Sequence, residues 1–215
     1  MKKKIRITFL LDKKNIWFRS YFSLNEIKNF KKYKFDVKDD VTKIKNTDII
    51  ITIGYCKKIP QSFLKKFKFF LIHESDLPKD RGFSPVTYQI LRGKKKIPIT
   101  FLTLEREIDT GSIILKDFFH TQDTDLVDDI RLKQSLARIK LIKKFLKIYP
   151  NIKLKKQIGK VTYNTYRGKK GSLININKSI LSQFNILRTS DNHLYPSYFY
   201  FKNKKFIIKI FKEQL

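Results

Sequence analysis

HESDLPKDRGFSPVTYQILRGKKKIPITFLTLEREIDTG, residues 73–111, decides the fold prediction because it directly follows a continuous apolar run, residues 69–72. Such a run is typical of a strand that is buried on both faces of a parallel sheet. His73 would then lie at the carboxyl end of that strand, which is the edge where open α/β sheets bind ligands. The stretch therefore predicts an α/β fold with a functional histidine at the sheet edge.

The remainder of this stretch predicts a chain path that returns to His73. Residues 84–91 have a helical pattern that begins with Ser84 as a cap followed by proline, and residues 97–104 have the pattern of the next strand. Asp109 then begins a tight turn. Asp109 follows His73 by 36 positions (109 − 73), yet strand, loop, helix, strand and turn can place the two side by side. Together they would form an acid–base pair.

Length and composition predict a folded protein of the reducing cytoplasm. The 215 residues suffice for one medium domain, or one domain with a small appendage, and 41% hydrophobic residues can form a sizeable core. The single cysteine, Cys56, excludes an intramolecular disulfide. The first apolar run is too short for a signal peptide, and no stretch reaches the roughly 20 apolar residues of a membrane span. We therefore expect no membrane association.

The net charge of +29 raises the question of nucleic-acid binding. The lysines, however, are spread along the chain from Lys2 to Lys212 and do not form one basic segment. Abundant Ile, Asn, Phe and Lys are also expected of a gene rich in adenine and thymine codons. We therefore predict no specific nucleic-acid partner. A basic field still attracts small anionic ligands.

Two other kinds of site are not supported by the sequence. Neither a GxGxxG fingerprint between a strand and a helix nor a Walker phosphate loop is present. Three histidines and one cysteine lack the spacing of metal ligands. We predict no metal.

The flanking sequence predicts the rest of an α/β domain and a small second part. Further strands are expected at residues 5–11, 35–37, 48–54 and 112–119, and a long helix at residues 126–149 that ends before Pro150. Residues 151–171 are polar and basic, which indicates a linker. After it come a short helix capped by Asn177 or Ser179 and a hairpin with its turn at residues 202–204. The predicted division is residues 1–150 and residues 151–215.

Three short motifs resemble the catalytic core of the N10-formyltetrahydrofolate-dependent formyltransferases. They are H-x-S-x-L-P (His73, Ser75, Leu77, Pro78), R-G-x-x-P (Arg81, Gly82, Pro85) and D-[TS]-G (Asp109, Thr110, Gly111). The sequence HESDLPKDRGFSP is most similar to the corresponding sequences of the branch that acts on amino-sugar nucleotides. The resemblance implies a Rossmann-like formyltransferase fold, with an open, mostly parallel sheet flanked by helices and a small C-terminal α+β hairpin module.

The same resemblance implies an activity. A formyl group would pass from N10-formyltetrahydrofolate, the cofactor, to the primary amine of an amino-sugar nucleotide, specifically a 4-amino-4,6-dideoxy sugar. Two alternatives stay open: another amine acceptor such as methionyl-tRNA, for which the basic charge argues, and a noncatalytic relative. A homodimer is a further expectation, from the hairpin edges at the C-terminus.

The resemblance also implies which residues form the site. His73 and Asp109 would be catalytic, with His73 assisting the formyl oxygen or taking the amine proton and Asp109 fixing its tautomer. The expected cofactor-binding residues are Tyr55, Lys57, Lys58, Ile59, Leu104 and Ile108. The expected substrate-binding residues are Asn15, Trp17, Ser75, Lys79, Arg81, Gly82 and Phe83.

One position departs from the family pattern. The family has an asparagine two residues before the histidine, and this chain has Leu71. Losing one donor to a developing oxyanion typically costs about 2.7 to 4 kcal/mol of barrier. Ser75, Asn15 or a backbone N–H group could substitute, and the sequence does not choose among them.

Overall fold

The fold was analysed in a computed structural model, which describes residues 4–12, 20–21 and 23–213. The strands are β1 (Ile5–Leu11), β2 (Tyr33–Lys38), β3 (Ile49–Ile53), β4 (Lys68–His73), β5 (Arg81–Gly82), β6 (Lys96–Thr103), β7 (Ile113–His120), β8 (Tyr163–Asn164), β9 (Ser197–Phe201) and β10 (Lys204–Ile208). The α-helices are α1 (Gln61–Lys66), α2 (Pro85–Leu91), α3 (Val127–Ile148) and α4 (Ile180–Thr189), and 3₁₀ turns lie at Leu24–Ile27, Val41–Lys43 and Lys169–Ser172.

The central sheet has the strand order β2-β1-β3-β4-β6-β7. The first four strands are parallel, which confirms the predicted open, mostly parallel sheet. On its other side β4 pairs with β6, which runs antiparallel to it. The chain leaves β4 at His73 and crosses through α2, so β6 begins beyond the carboxyl end of β4 and runs back along it, with Thr100 opposite His73.

Helix α3 covers one face of the sheet, as its apolar pattern predicted. Leu141, Ile142, Phe145 and Leu146 on this helix are fully buried. The Phe145 ring stacks on Phe101 of β6 with centroids 4.5 Å apart. Burying one such side chain is worth about 1.5 to 3 kcal/mol. None of the helices in the described part of the chain is long and apolar enough to cross a bilayer.

Two predicted helix caps had different outcomes. The Ser179 hydroxyl accepts a hydrogen bond from the Ser182 N–H at the start of α4, which confirms one of the two proposed caps. Ser84 precedes α2 but makes no side-chain cap bond, so the predicted capping was wrong. Capping requires an extended backbone, and Ser84 is left-handed with φ 47°. The terminal hairpin turns at Lys202 and Asn203, which both have positive φ, as predicted.

The segment after α3 is more than a linker. Lys155 exchanges two backbone hydrogen bonds with Ile113 at the start of β7. Further along, β8 pairs in parallel with β5 in the loop after His73. Composition misled here because Gln157, Thr162 and a few backbone groups of this mostly exposed segment bond to the rest of the protein. The division into residues 1–150 and 151–215 stays a prediction.

Gly111→Ala is expected to lower the free energy of unfolding by about 3 kcal/mol or more. A Cβ atom at this position would lie 1.8 Å from the Thr103 carbonyl oxygen, and backbone cannot move aside cheaply. Gly93→Ala is the matched control, because its Cβ would meet nothing within 4 Å and only its φ of +77° is unfavourable. That control should cost about 1 to 2 kcal/mol. Urea denaturation measures both, and equal losses would contradict the steric argument.

Candidate active site

His73 and Asp109 come together at the carboxyl end of β4. The Nδ1 atom of His73 lies 3.4 Å from Oδ2 of Asp109. The other ring nitrogen, Nε2, lies 2.7 Å from the carbonyl oxygen of Asp80. Both side chains of the pair are at least nine-tenths buried. The pair that the sequence placed together is therefore held in a confined site.

Asp109 is positioned by its own turn and by the loop that follows β4. Its backbone is left-handed, with φ 54°, a conformation that Asp tolerates better than most residues. The Gly82 N–H donates to Asp109 Oδ2 over 2.8 Å. The Gln157 amide donates to the carbonyl oxygens of Asp109, over 2.7 Å, and Gly111, over 2.8 Å. These bonds point the carboxylate at His73.

The two acceptors around His73 decide where its protons lie. A carbonyl oxygen can only accept, so Nε2 carries a proton that it donates to Asp80. A proton on Nδ1 as well would find the Asp109 carboxylate as its acceptor, so both N–H groups of an imidazolium are satisfied. The Nδ1 contact of 3.4 Å is longer than the usual 2.7 to 3.2 Å of an N–H···O bond. Nδ1 is consequently the ring atom with the weaker partner, and a ligand oxygen in the cavity could compete with Asp109 for it.

Both side chains line a cavity of about 1230 Å³. Sites for one drug-sized ligand occupy about 300 to 1,000 Å³, so this cavity has room for more than one. Two further groups of residues line it. The first group is Gly54, Tyr55, Cys56, Lys57, Lys58, Ile59, Leu64 and Leu104. The second group is Arg131 of α3 with Tyr166, Arg167, Asp191 and Tyr195.

Most of the predicted site residues share this cavity. Those that line it with His73 and Asp109 are Tyr55, Lys57, Lys58, Ile59, Gly82, Phe83, Leu104 and Ile108. Ser75, Lys79 and Arg81 lie outside the set of described residues that line it. Asn15 and Trp17 fall outside the described residues.

Three predicted substrate contacts have other surroundings. Ser75 is fully buried, and its carbonyl oxygen accepts from the Thr100 hydroxyl over 2.7 Å. Lys79 is exposed on the loop. Arg81 is buried, and its guanidinium donates to the Gln157 side chain over 2.7 Å and to the Tyr163 hydroxyl over 3.2 Å. Arg81 thus ties the loop to the segment after α3.

Leu71 places methyl groups where the family pattern has an amide. The side chain lines the cavity and also packs against Leu77, Leu102 and Ile113. Ser75, one of the proposed replacements for the missing donor, is buried away from the cavity lining described here. The Leu71 side chain therefore offers no hydrogen-bond donor to the cavity.

A buried ion pair lies directly beside His73. Arg138 of α3 contacts Glu74 with Nε 2.5 Å from Oε1, and each side chain is 6% exposed. Burial alone would raise the pKa of Glu74, but the Arg138 charge and its hydrogen bond outweigh burial and hold that pKa below its ordinary value. Glu74 is therefore a charged, fixed neighbour of the histidine.

Arg138→Met is expected to lower the free energy of unfolding at neutral pH by about 3 to 5 kcal/mol, since it leaves the Glu74 charge buried without its cation. In the parent, a depressed pKa stabilises the fold above the ordinary carboxyl pKa and is lost as pH falls. In the variant, burial instead raises the pKa of Glu74, so a proton neutralises it. The gap between the two proteins should therefore narrow as pH falls towards about 4.3.

The surface pair of Lys143 and Glu26, 2.9 Å apart, supplies the control. Lys143→Met should cost less than about 1 kcal/mol at any of these pH values. Urea denaturation at several pH values measures both variants. A penalty for Arg138→Met that does not change with pH would contradict the account of Glu74.

Several lining residues were not among the predicted site residues. Tyr166, Tyr195 and Arg131 carry no local signal of ligand binding, although Tyr166 and Tyr195 belong to patterns that resemble the family's C-terminal part. Gln157 was missed because a lone glutamine in a polar segment looks like surface. Among residues 4–12, 20–21 and 23–213, no three His, Cys, Asp or Glu side chains form a group that could hold a metal ion.

The α/β sheet carries a buried acid–base pair, His73 and Asp109, at the carboxyl end of β4, as in an enzyme active site. Residues 6–142 match the model of the family described as Formyl transferase, so the chain belongs to the formyl transferase family. Among curated relatives, it is 31% identical over 147 residues to a methionyl-tRNA formyltransferase of Rickettsia massiliae. That alignment covers 67% of this chain and 48% of the relative, so the chain spans about half the length of that protein.

Solved structures of several formyltransferases have the same fold. A methionyl-tRNA formyltransferase from Clostridium thermocellum superposes with a TM-score of 0.80 at 20% identity, covering 98% of this chain and 94% of the other. A 4-N formyltransferase from Francisella tularensis gives 0.76 at 18% identity, covering 98% and 99%. HypX from Aquifex aeolicus, solved in complex with tetrahydrofolic acid, gives 0.75 at 17% identity, covering 96% of this chain and 37% of the other. The predicted formyltransferase fold is confirmed.

Proposed function

We propose that this protein transfers a formyl group from N10-formyltetrahydrofolate to the primary amine of an amino-sugar nucleotide. The observation that carries the proposal is the buried His73–Asp109 pair, with Nδ1 and Oδ2 3.4 Å apart, on the wall of a cavity of about 1230 Å³. The pair supplies acid–base chemistry, and the cavity has room for a donor and an acceptor together. Membership of the formyl transferase family supports the reaction type.

The loop after β3 fits the folate. Gly54, with φ 59°, turns the chain out of β3, and residues 55–58 then run along the cavity beside the apolar side chains of Ile59 and Leu104. A flat ring system needs such apolar contacts together with main-chain donors and acceptors. Lys57 is held by Asp40 over 2.9 Å, and this bond lowers the pKa of Asp40 to about 2. When bound, N10-formyltetrahydrofolate supplies an activated formyl carbon that an amine can attack.

His73 and Asp109 divide the proton chemistry between them. The Asp80 carbonyl holds the Nε2 proton, so the ring keeps one orientation. The Nδ1 N–H, which Asp109 approaches only to 3.4 Å, would donate to the formyl oxygen as negative charge develops there, in place of the amide that Leu71 lacks. The Asp109 carboxylate would accept the proton that the attacking amine releases and return it to the folate nitrogen, which leaves as its bond to the formyl carbon breaks. Each positioned acid or base of this kind contributes roughly 10²- to 10⁴-fold in rate.

The lining residues from the C-terminal part of the chain support a sugar nucleotide as acceptor. Phe83 and Tyr166 meet edge to face with centroids 5.6 Å apart, and the Tyr166 side chain is 67% exposed. Tyr166 also raises the pKa of the Tyr195 hydroxyl through its charge and a hydrogen bond. Exposed aromatic faces in a cavity suit the stacking of a base or a sugar ring. Arg131 and Arg167 in the same lining suit an anionic diphosphate.

Methionyl-tRNA is the second candidate acceptor. The curated relative at 31% identity and the structure with a TM-score of 0.80 are both methionyl-tRNA formyltransferases. The net charge of +29 also favours a polyanion. Whole-chain coverage of a sugar N-formyltransferase from Shewanella sp FDAARGOS_354, 98% and 99%, supports an amino-sugar nucleotide as the acceptor. A cytoplasmic location and a homodimer stay predictions from the sequence.

Tyr166→Ala is expected to raise KM for the sugar-nucleotide acceptor by about 10- to 100-fold, because stacking on one aromatic ring is worth about 1 to 3 kcal/mol. The KM for N10-formyltetrahydrofolate should stay within twofold. Steady-state kinetics over a panel of 4-amino-4,6-dideoxy sugar nucleotides measures both constants.

Tyr200→Ala is the matched control, because Tyr200 is 54% exposed on β9 and is not among the residues that line the cavity. It should leave both constants unchanged. Methionyl-tRNA should be assayed beside the sugar panel with the parent protein. Faster turnover of methionyl-tRNA than of every sugar nucleotide would reverse the order of the two candidates.

A further inference from the structure

We propose that residues 155–164 form an active-site clamp in which Gln157 and Thr162 are positioning residues for the catalytic pair. Gln157 sets the turn that carries Asp109, and Thr162 sets the carbonyl group that holds His73. Neither residue is among those that line the cavity. The expected effect on kcat rests on the proposed function. The expected effect on the protonation of the His73 ring does not.

Gln157 bonds at both ends of its side-chain amide. Nε2 donates to the carbonyl oxygens of Asp109 and Gly111, so it spans the turn that follows the catalytic carboxylate. Oε1 accepts from the Arg81 guanidinium over 2.7 Å, in the loop that also supplies the Gly82 N–H bond to Asp109. One side chain thus connects the turn of Asp109 to the loop that follows His73.

Thr162 acts on the histidine through Asp80. The Asp80 N–H donates to the Thr162 hydroxyl over 2.8 Å, and the Asp80 side chain meets Arg92 with Oδ1 2.6 Å from Nη2. Asp80 has φ 58°, a strained conformation that persists only where the surroundings fix it. Held in this way, its carbonyl oxygen accepts from His73 Nε2 over 2.7 Å. The bond to Thr162 therefore helps to set the tautomer of the imidazole.

Backbone pairing holds the clamp against the loop. The Arg81 N–H donates to the Thr162 carbonyl over 2.9 Å, and the Phe83 N–H donates to the Asn164 carbonyl over 3.2 Å. A Cβ atom on Gly82 would lie 2.6 Å from the Asn164 oxygen, so this close approach requires glycine. The side-chain bonds of Gln157 and Thr162 are thus made from a fixed backbone.

The clamp should affect the rate of transfer more than the affinity for either substrate. The distance from Nδ1 to Asp109 is 3.4 Å, and a further shift of about 1 Å can cost 10²-fold in rate. Binding should change little because Gln157 and Thr162 are not among the described residues that line the cavity. A merely structural residue would instead lower the amount of folded enzyme and leave kcat per folded molecule unchanged.

The test compares Gln157→Ala and Thr162→Val with the conservative variant Thr162→Ser, which keeps a hydroxyl acceptor. Gln183→Ala is the control, because Gln183 makes the same kind of bonds in the C-terminal part, donating to the Asn175 carbonyl and accepting from the Asn175 N–H. Three quantities are measured: kcat and both KM values, the unfolding midpoint in urea, and the ¹⁵N chemical shifts of the His73 ring against pH.

We expect Gln157→Ala and Thr162→Val to lower kcat by about 10- to 100-fold with both KM values within twofold. Thr162→Ser should return most of the rate, and Gln183→Ala should leave kcat unchanged. The ¹⁵N shifts of His73 should move in Thr162→Val because Nε2 loses its fixed acceptor. Unchanged kcat in both Gln157→Ala and Thr162→Val, or decreases in kcat equal to that in Gln183→Ala, would contradict the positioning role of Gln157 and Thr162.

The ¹⁵N chemical shifts of the His73 ring can be measured without turnover, so they test this inference separately from the proposed function. If the parent protein transfers formyl to none of the sugar nucleotides, the proposed acceptor is wrong and the kinetic comparison is lost. The ¹⁵N chemical shifts of the His73 ring still test the role of Thr162 in that case. Altered proton occupancy in Thr162→Val, restored in Thr162→Ser, would support the clamp, and identical spectra in all three proteins would overturn it.

Discussion

His73→Ala is expected to lower kcat for formyl transfer by about 10²- to 10⁴-fold. The substitution removes the Nδ1 donor proposed to serve the formyl oxygen, and Leu71, two residues earlier, supplies no amide to share the charge. Binding of tetrahydrofolate should change little, because the loop of residues 55–58 on the other part of the lining is untouched. Steady-state kinetics with saturating donor and a folate titration measure these two effects separately.

His120→Ala is the matched control for this substitution. His120 is exposed at the end of β7, with its ring 5.2 Å from the Phe118 ring, and it does not line the cavity described here. It should retain the parent rate. A His73→Ala enzyme within threefold of the parent would contradict the assignment of His73, whatever the behaviour of the control.

Asp109→Asn is expected to cause a similar loss, of about 10²- to 10⁴-fold in kcat. The amide has nearly the shape of the carboxylate, and its oxygen can still accept from the Gly82 N–H, so the turn should keep its conformation. It cannot take a proton from the attacking amine, and it no longer balances an imidazolium. The rate should therefore fall without a matching loss of stability, which urea denaturation checks.

Asp123→Asn, on the exposed pair with Lys95, controls for loss of a carboxylate elsewhere and should be neutral. The double variant His73→Ala/Asp109→Asn adds a stronger test. Residues that act as one unit lose their effect together, so the double variant should be little slower than either single variant. Fully multiplied losses would show that the two residues act independently.

The sequence was most informative where local patterns carry the structure. The apolar run before His73 and the β-branched run of β3 predicted buried strands because burial on both faces demands such residues. The contact between His73 and Asp109 was predicted because a short motif occurs at each end of one loop-rich stretch. Elements of this kind are fixed by residues close in sequence.

The remaining features depend on contacts between distant polar residues, which leave no periodic pattern. Residues 155–164 have the composition of a linker, yet Gln157 bonds to residues 46, 48 and 76 positions earlier. Arg81 was expected to contact substrate because it is a cation in a loop, whereas the fold buries it against Gln157. The direction of β6 was likewise decided by the path of the whole loop and helix before it.

The most direct test of the central claim is a single-turnover measurement with N10-formyltetrahydrofolate, a 4-amino-4,6-dideoxy sugar nucleotide and excess enzyme. Mass spectrometry would follow the appearance of the N-formylated sugar nucleotide, with parent and Asp109→Asn proteins run side by side. The account predicts formyl transfer by the parent and a rate lower by at least about 10²-fold in the variant. Equal rates in the two proteins, or transfer to methionyl-tRNA but to no sugar nucleotide, would contradict it.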